Sequence, residues 1–526
     1  MNKLLFRKLL TAIILFLFAL LPGISSAQES TQPVIEPTQT VRLEIEEKAF
    51  ENEMDVFPLP DSTVLIYKRP YFGSFKEEHV FQRYSKDFQL LWTTSLILED
   101  RPEFHQFYYA GKSLYLMYLD NVSYKFSTLK LNTQTGSNTL VNYNLKEHDL
   151  DTDIRLGHFK VLNNQIFIAA QTSRNSLVVH INEATKEIKT IPALYDQLNS
   201  LEEFHIDTLI NRAEFILSES NGIKGRLQVK RFTQTGDLYS NTLIQPPFGR
   251  SLVSAQLTPG DSTTKLIIGT YTFRDTRYSQ GFFTSHLANP GGSLQYIDFV
   301  QLKHFFDHLG KRAQSKITEK AERYKEQDKD LRHRYRLLMH NLVPWGSNYY
   351  LLAEVYNAQG NVNYNRWPGY YNRIYGLDRN FPYPNDMGRN PSENTEYRYS
   401  HAVLCAFDKE GKLLWDNSFV LKDVVRDELT QTTHYAFAGN KIVMVYPHEK
   451  EIRYKIVNRD STSENDLSVP LAGATPEEKF TSLDSYSLVH WYGPHFLAFG
   501  FGRIKAPRST GRETYFLNKV SFPISD

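Results

Sequence analysis

The chain has 526 residues and almost equal numbers of basic and acidic side chains, 60 Lys and Arg against 59 Asp and Glu. This balance argues against a nucleic-acid partner, because neutralising phosphates requires an excess of basic residues. The single cysteine, Cys405, excludes an internal disulfide framework, so the fold must depend on its hydrophobic core. Aromatic residues make up 13% of the chain, which is typical of β-rich structure.

Residues 1–27 predict a signal peptide. Basic residues at the start are followed by an almost unbroken apolar run over 9–21, which is short for a membrane span. Small side chains at Ser25 and Ala27 predict cleavage between Ala27 and Gln28. An uncleaved signal anchor is the alternative. No cysteine stands near the cleavage site, which argues against a lipoprotein anchor.

No later segment has 18 consecutive apolar residues, so no transmembrane helix is expected after signal cleavage. We therefore expect an exported protein that is periplasmic or extracellular, with association with the outer membrane as a further alternative. Residues 28–40 are rich in Ser, Thr, Gln and Pro and predict a disordered lead. The folded domain is expected to occupy 41–526.

From residue 41 onward, one pattern of short strands and polar turns recurs. Most of the turns follow one another at roughly 50 residues, the spacing typical of β-propeller blades. The turns lie at 85–87, 132–136, 182–185, 233–236, 289–292, 408–411 and 458–461, with a weaker one near Asn518. A short, nearly continuous apolar run precedes each turn, as in 114–118 and 265–269, which indicates a strand buried on both faces.

Eight such units can be counted, and they predict an all-β protein, a β-propeller of seven or eight four-stranded blades. In the seven-bladed form the two terminal units share one blade, which a strand near Val41–Ile45 completes to close the ring. A β-sandwich or several small β-domains are the alternatives, although sandwiches do not usually keep a constant period over so many units.

The segment Ala406–Trp415 resembles the blade repeat of quinoprotein-like and kelch-like bacterial propellers. The resemblance covers this hairpin well and the other blades loosely, and it implies the fold. A quinone cofactor is not expected, because the chain lacks the adjacent cysteine pair and the repeated Trp-Gly docking motif of the quinone-dependent families. We predict no cofactor.

The interval between the turns at 289–292 and 408–411 is much longer than the others and indicates an insertion at 303–399, in a late blade. In its first part, 303–339, charged residues dominate and apolar residues recur at helical spacing, which predicts one long helix or two joined near 327–330. Such a helix could lie solvated on the propeller rim or act as a docking arm or lid.

The second part of the insertion, 356–399, predicts a loop rich in Tyr, Asn, Pro, Arg and Gly. Loops of this length are usually functional or disordered, and the aromatic content argues against disorder. Tyr, Trp and Arg are the residue types that carry binding hot spots. The candidate ligand-binding residues are Arg366, Trp367, Tyr370, Tyr371, Arg373 and Tyr375. Packing of these rings onto the propeller face is the alternative.

Few sequence motifs indicate a metal-binding or catalytic site. His304 and His308, four residues apart on the predicted helix, loosely resemble the inverted zinc-protease signature, but Asp307 stands where that signature has Glu. No third ligand is identifiable, so we predict no metal site. The acidic residues within 149–153 lack the glycine of a calcium loop. Phosphate-loop, dinucleotide and G-x-S-x-G motifs are absent, and no catalytic residue is assigned.

These features favour a non-catalytic exported propeller that acts as a binding or scaffold module for protein or glycan at the cell envelope. The alternative is a propeller hydrolase or lyase acting on polysaccharide or peptide at the central channel. Two carboxylates from different blades could form such a site without any sequence motif. Because propellers host many functions, the fold does not decide between these hypotheses.

Overall fold

A computed structural model describes residues 36–47, 51–70, 76–99, 102–120, 124–148, 154–171, 176–191, 199–221, 223–260, 263–292, 294–359, 396–427, 429–459, 461–462 and 467–523. The chain forms a β-propeller ring of eight blades, each built on four antiparallel strands. The predicted fold class is therefore confirmed, with eight blades rather than seven. The signal peptide predicted at 1–27 lies outside the described residues.

Strand β1 (Thr38–Ile45) belongs to the last blade, and the first four blades each take four consecutive strands. Blades 1 and 2 contain β2 Asn52–Pro58, β3 Val64–Pro70, β4 Lys76–Tyr84, β5 Leu90–Glu99, β6 Glu103–Ala110, β7 Ser113–Leu119, β8 Lys125–Asn132 and β9 Asn138–Asn144. Blades 3 and 4 contain β10 Arg155–Leu162, β11 Gln165–Gln171, β12 Ser176–Asn182, β13 Ile188–Ile191, β14 Asn199–Asp207, β15 Arg212–Ser220, β16 Gly225–Thr233 and β17 Leu238–Ile244.

The later blades follow the same order, and blades 6 and 7 each have one strand split in two. Blades 5 and 6 contain β18 Ser251–Leu257, β19 Leu266–Thr272, β20 Gly281–His286, β21 Gln295–Asp298, β22 Arg336–Met339, β23 Val343–Trp345, β24 Asn348–Gln359, β25 Glu396–Phe407 and β26 Leu413–Arg426. Blades 7 and 8 contain β27 His434–Ala438, β28 Lys441–His448, β29 Glu451–Asn458, β30 Ser461–Thr462, β31 Leu467–Pro470, β32 Lys479–Tyr492, β33 His495–Lys505 and β34 Arg512–Ser521.

The first strands of neighbouring blades contact one another, as β6 does with β10 and β14 with β18, so these strands lie nearest the ring axis. Second strands are enclosed between blades: every residue of β19 is buried. The fourth strand β5, by contrast, alternates between exposed and half-buried side chains over most of its length. Continuous apolar runs therefore mark the strands packed between blades, as the sequence pattern predicted.

Pairing of β1 with β34 joins the two ends of the chain in blade 8. The closing strand anticipated near Val41–Ile45 is thus present, but in an eight-bladed ring, and it begins at Thr38, inside the segment predicted to be a disordered lead. Arg42 of this strand donates to Ala472 O at 2.9 Å and to Asn518 Oδ1 at 2.6 Å. Its guanidinium also lies 5.0 Å from the ring centre of Phe516.

The recurring polar turns share one local construction. Asn132 Oδ1 accepts two backbone N–H groups of its own turn, at 2.9 and 3.1 Å, and Gly136 has a φ of +76° that favours glycine. A Cβ at Gly136 would also lie 3.1 Å from the ring of Trp92, in the preceding blade. Asp408 and Gly411, with a φ of +77°, repeat the arrangement in blade 6. These turns could be recognised in the sequence because their chemistry is local.

The helix of the insertion, α1, spans Lys311–Glu326 and has no buried residue. Two short 3-10 helices span Leu145–His148 and Phe299–Gln301. Among the described residues, no helix combines the length and apolar character needed to cross a membrane.

Replacing Arg42 by alanine should loosen the closure of the ring, because a nearly buried cation and its hydrogen bonds to β34 and to Ala472 are lost. We expect the free energy of unfolding to fall by about 3 kcal/mol, measured by chemical denaturation. Lys316→Ala, which removes an exposed cation from α1, is the matched control and should have no effect. Equal stability of the two variants would show that Arg42 does not secure the closing strand.

The fold should lose stability in mild acid. Burial lowers the pKa of several histidines, and it brings the pKa of His434 to about 3. The others are His79, His180, His308, His401, His490 and His495. These rings stay neutral in the folded protein while the unfolded chain takes up protons below its ordinary histidine pKa of about 6.5. Stability is therefore fully present above that pH and is lost as the pH falls through it.

Denaturation at pH 7.5 and pH 5.0 tests this expectation. Each histidine that is neutral in the folded protein and protonated in the unfolded chain lowers the free energy of unfolding by about 1.4 kcal/mol per pH unit below its unfolded pKa. The free energy of unfolding of the wild-type chain should fall by several kcal/mol between these two pH values, and that of His434→Gln should fall by less. Unchanged or higher stability at pH 5.0 would contradict the assignment of neutral buried rings.

Candidate functional site

The loops that join one blade to the next lie on the same face of the ring as the loops between the second and third strands of each blade. The strands of a blade are antiparallel. The second strand therefore ends, and the third strand begins, on the same face of the ring on which the first strand begins. The connection from β21 to β22, which carries α1, leaves on this face, and so do the paired ends of β24 and β25 at Gln359 and Glu396. We call it the insertion face.

Both parts of the predicted insertion attach to the insertion face. The candidate ligand-binding residues Arg366, Trp367, Tyr370, Tyr371, Arg373 and Tyr375 lie outside the described residues, as do the acidic residues at 149–153. The proposal that the aromatic loop binds a ligand therefore stays a prediction.

The helix predicted over 303–339 is shorter in the structure, where α1 covers Lys311–Glu326. Before it, Phe299, Leu302 and Phe305 pack between blades 5 and 6. Asp416 of β26 also accepts the backbone N–H groups of residues 303 and 304, both at 2.8 Å. Residues 303–310 therefore form turns, and residues 336–339 form strand β22, so both ends of the helix predicted over 303–339 were wrong.

His304 and His308, in the turns before α1, have different partners. His304 Nδ1 lies 2.7 Å from Asp307 Oδ2. The ring of His308 stacks on His401 of β25, with ring centres 4.0 Å apart. Within the described part of the chain, no group of three or more His, Cys, Asp or Glu side chains is placed to hold a metal ion.

Several buried carboxylates are engaged in structural contacts between blades. Asp207 and Glu214 both bind Lys265 Nζ, at 2.7 Å each, and all three side chains are fully buried between blades 4 and 5. Burial opposes ionisation of Asp207, but hydrogen bonds from Lys265 and a backbone N–H hold its pKa below the usual value. On the first strands, Glu203 of β14 accepts a 2.7 Å hydrogen bond from Gln256 of β18.

An open cavity of about 710 Å³ lies on the insertion face between the loops of blades 4 and 5. We call it the blade 4–5 cleft. Its walls come from the turn between β15 and β16, the connection between β17 and β18, and the residues that follow β19. A cavity of this size is typical of sites for small ligands.

Local hydrogen bonds shape the two loops of blade 4. Asn221 Oδ1 accepts the backbone N–H groups of Ile223 and Lys224, at 3.1 and 2.8 Å, which places Lys224 in the cleft wall. In the next loop, Ser251 Oγ donates to the carbonyl of Ile223 at 3.1 Å and ties the two loops together. Gly249 has a φ of +87°, which allows the tight turn after Phe248.

Phe248 and Arg250 are the most distinctive side chains of the cleft lining. Phe248 is 99% exposed, although burial of a phenyl ring is normally favourable by a few kcal/mol. The guanidinium carbon of Arg250 lies 4.1 Å from the ring centre of Tyr296. This distance is that of a cation–π contact, which positions the guanidinium in the cleft lining.

The cleft has a positive balance of charge. Lys224, Arg226, Arg250 and Arg274 line it, against a single lining carboxylate, Glu219. Arg226 Nε donates to that carboxylate, so the acid is already neutralised. The sequence analysis missed this site, because its residues are spread over three separate loops of a chain whose overall charge is near neutral. The one local signal was Phe248 in a turn between Pro247 and Gly249.

No protein-family model matches the chain, and no curated protein sequence matches it. The polysaccharide lyase Uly1 aligns with 83% of this chain and 92% of its own, at 8% identity and a TM-score of 0.37. A prolyl endopeptidase aligns with 81% of this chain and 50% of its own, at 8% identity and a TM-score of 0.37. The β-propeller domain of the Trilobed protease from Pyrococcus furiosus aligns with 79% of this chain and 93% of its own, at 8% identity and a TM-score of 0.31. These likenesses concern the fold alone.

Proposed function

We propose that this chain is an exported, non-catalytic propeller that binds an acidic glycan in the blade 4–5 cleft. The observation that carries the proposal is the combination, in one cleft, of several basic side chains with a fully exposed phenyl ring. Export is supported by the signal-peptide features of residues 1–27. The ligand is then expected in the periplasm or at the cell surface.

The chemistry of the cleft suits a sugar that carries a carboxylate or sulfate. A guanidinium presents parallel N–H groups that match such a group in a bidentate arrangement, and the cation–π contact with Tyr296 positions Arg250 in the cleft lining. Lys224 adds a mobile point charge on the neighbouring wall. Phe248 offers a rigid apolar face on which the C–H face of a sugar ring can pack.

Binding is favoured over glycoside hydrolysis at this cleft. Hydrolysis requires a pair of carboxyl groups flanking the bond, and Glu219 is the single carboxylate of the lining and is already bound by Arg226. The buried pair Asp207 and Glu214 is closed to solvent and shares Lys265, so it supports a structural role. An acidic peptide remains the competing ligand, since it presents the same carboxylates.

Calorimetric titration with digalacturonate, and with neutral digalactose as its uncharged counterpart, tests the proposal. Arg250→Ala and Phe248→Ala should each weaken binding of digalacturonate about tenfold, because each removes one anchoring contact. Matched controls come from the opposite face: Lys112→Ala removes an exposed cation, and Leu209→Ala removes an apolar side chain that is 72% exposed. Both controls should bind as the wild type does.

Three results would overturn the proposal. The first is equal affinity for digalactose and digalacturonate. The second is unchanged affinity in both cleft variants, which would move the site elsewhere. The third is tighter binding of a short poly-aspartate peptide than of digalacturonate, with the same dependence on Arg250, which would make the ligand a protein.

A further inference from the structure

Further arginines continue from the cleft across the insertion face of blade 5. Arg277 lies in the connection between β19 and β20, and its Nη2 donates to Asp275 Oδ2 at 2.7 Å. Hydrogen bonds from Arg277, with a further contribution from the charge of Arg334, hold the pKa of Asp275 below its usual value. The segment that returns from α1 to β22, which carries Arg334, therefore runs beside this connection.

Contacts on Tyr278 and Ser279 hold the two segments together. The guanidinium carbons of Arg277 and Arg336 lie 5.7 and 5.3 Å from the ring centre of Tyr278. The backbone N–H of Ser279 donates to the carbonyl of Tyr335 at 2.8 Å, which forms an isolated bridge between the segments. Two arginines from distant parts of the sequence are thus placed on one ring.

This region is continuous with the blade 4–5 cleft. Ser220, which lines the cleft, bonds through its hydroxyl to Thr276 Oγ1 at 3.3 Å. Arg250 lies 5.7 Å from the ring centre of Tyr271, whose hydroxyl donates to Asp298 Oδ2 at 3.4 Å. We call Arg277, Arg334 and Arg336 the arginine track.

Basic side chains outnumber carboxylates across the cleft and the track. The basic residues are Lys224, Arg226, Arg250 and Arg274 in the cleft and Arg277, Arg334 and Arg336 in the track. The carboxylates beside them are Glu219, Asp275, Asp298 and Asp330. The whole chain has a net charge of only +1, so this is a local concentration of positive charge. Helix α1, attached to the same segment, adds more Lys and Arg than Glu.

We infer that the arginine track extends the binding site, so that the protein recognises an acidic polysaccharide along several consecutive sugars rather than a single acidic sugar. The inference rests on the function proposed above, since the first sugars occupy the cleft. Acidic sugars repeat their charge at regular intervals, and successive carboxylates or sulfates can then meet successive guanidinium groups. Once the cleft is occupied, each further contact forms at high effective concentration.

Oligogalacturonates of increasing length, titrated at one fixed salt concentration, test the inference. Wild-type affinity should rise at least tenfold from the disaccharide to an oligomer of about ten sugars. The double variant Arg277→Ala/Arg334→Ala, which changes two exposed residues outside the cleft lining, should remove most of that gain and leave disaccharide binding within about twofold of wild type. Arg250→Ala should weaken binding of both lengths. Lys112→Ala/Lys412→Ala, which removes two exposed cations from turns on the opposite face, is the matched control.

The outcomes separate this inference from the proposed function. Disaccharide binding that depends on Arg250 but does not strengthen with length would overturn the track and leave the cleft intact. An equal loss for both lengths in Arg277→Ala/Arg334→Ala would also overturn it, because the track would then not be a separate extension. Binding of the long oligomer that ignores Arg250 would instead overturn the proposed function. Equally tight binding of single-stranded DNA of similar charge would show a general polyanion surface and overturn the assignment to polysaccharide.

Discussion

Strand β1 pairs antiparallel with β34, so the N-terminal strand becomes the outermost strand of the last blade. Each blade buries its second strand against its neighbours, and a ring that did not close would leave two such apolar faces exposed. At the junction of blades 8 and 1, side chains such as Leu517 and Trp491 pack with Val56 and Ile66 in one core cluster. The other seams, and the loops that rest on them, depend on this closure.

Ring closure also decides where irregular segments can lie. Connections between blades, and those between second and third strands, gather on the insertion face, where they leave the buried strands undisturbed. Polar groups between the blades are correspondingly engaged: Lys265 joins Asp207 and Glu214 between blades 4 and 5, and Asp416 binds the backbone at 303 and 304. Buried charges of this kind are tolerated because they are paired and hydrogen-bonded.

The blade 4–5 cleft shows how a chain with almost no net charge can present a strongly basic site. Charge balance over the whole sequence argues against a nucleic-acid protein of the usual composition, but it does not describe local surfaces. Stacking on tyrosine rings orders Arg250, Arg277 and Arg336, so the loss of side-chain freedom on binding is reduced in advance.

The fold could be predicted because its signals are local. Buried second strands such as β19 are continuous apolar runs, and turns such as those at Asn132 and Asp408 depend on hydrogen bonds within a few residues. The helix was predicted to start too early because Phe306 and Leu309 continue the apolar spacing of α1, yet Phe305 and Phe306 pack at the seam between blades 5 and 6. Their partners on β24 and β25 are distant in sequence.

The sequence by itself determined the repeated β-unit, the approximate number of blades and the position of the insertion, since each follows from the chemistry of neighbouring residues. Only the tertiary structure decided the candidate site. Lys224, Phe248 and Arg274 belong to three loops well separated along the chain, and nothing near any one of them indicates the others. They meet because blades 4 and 5 are adjacent in the ring, and that contact is a property of the closed propeller.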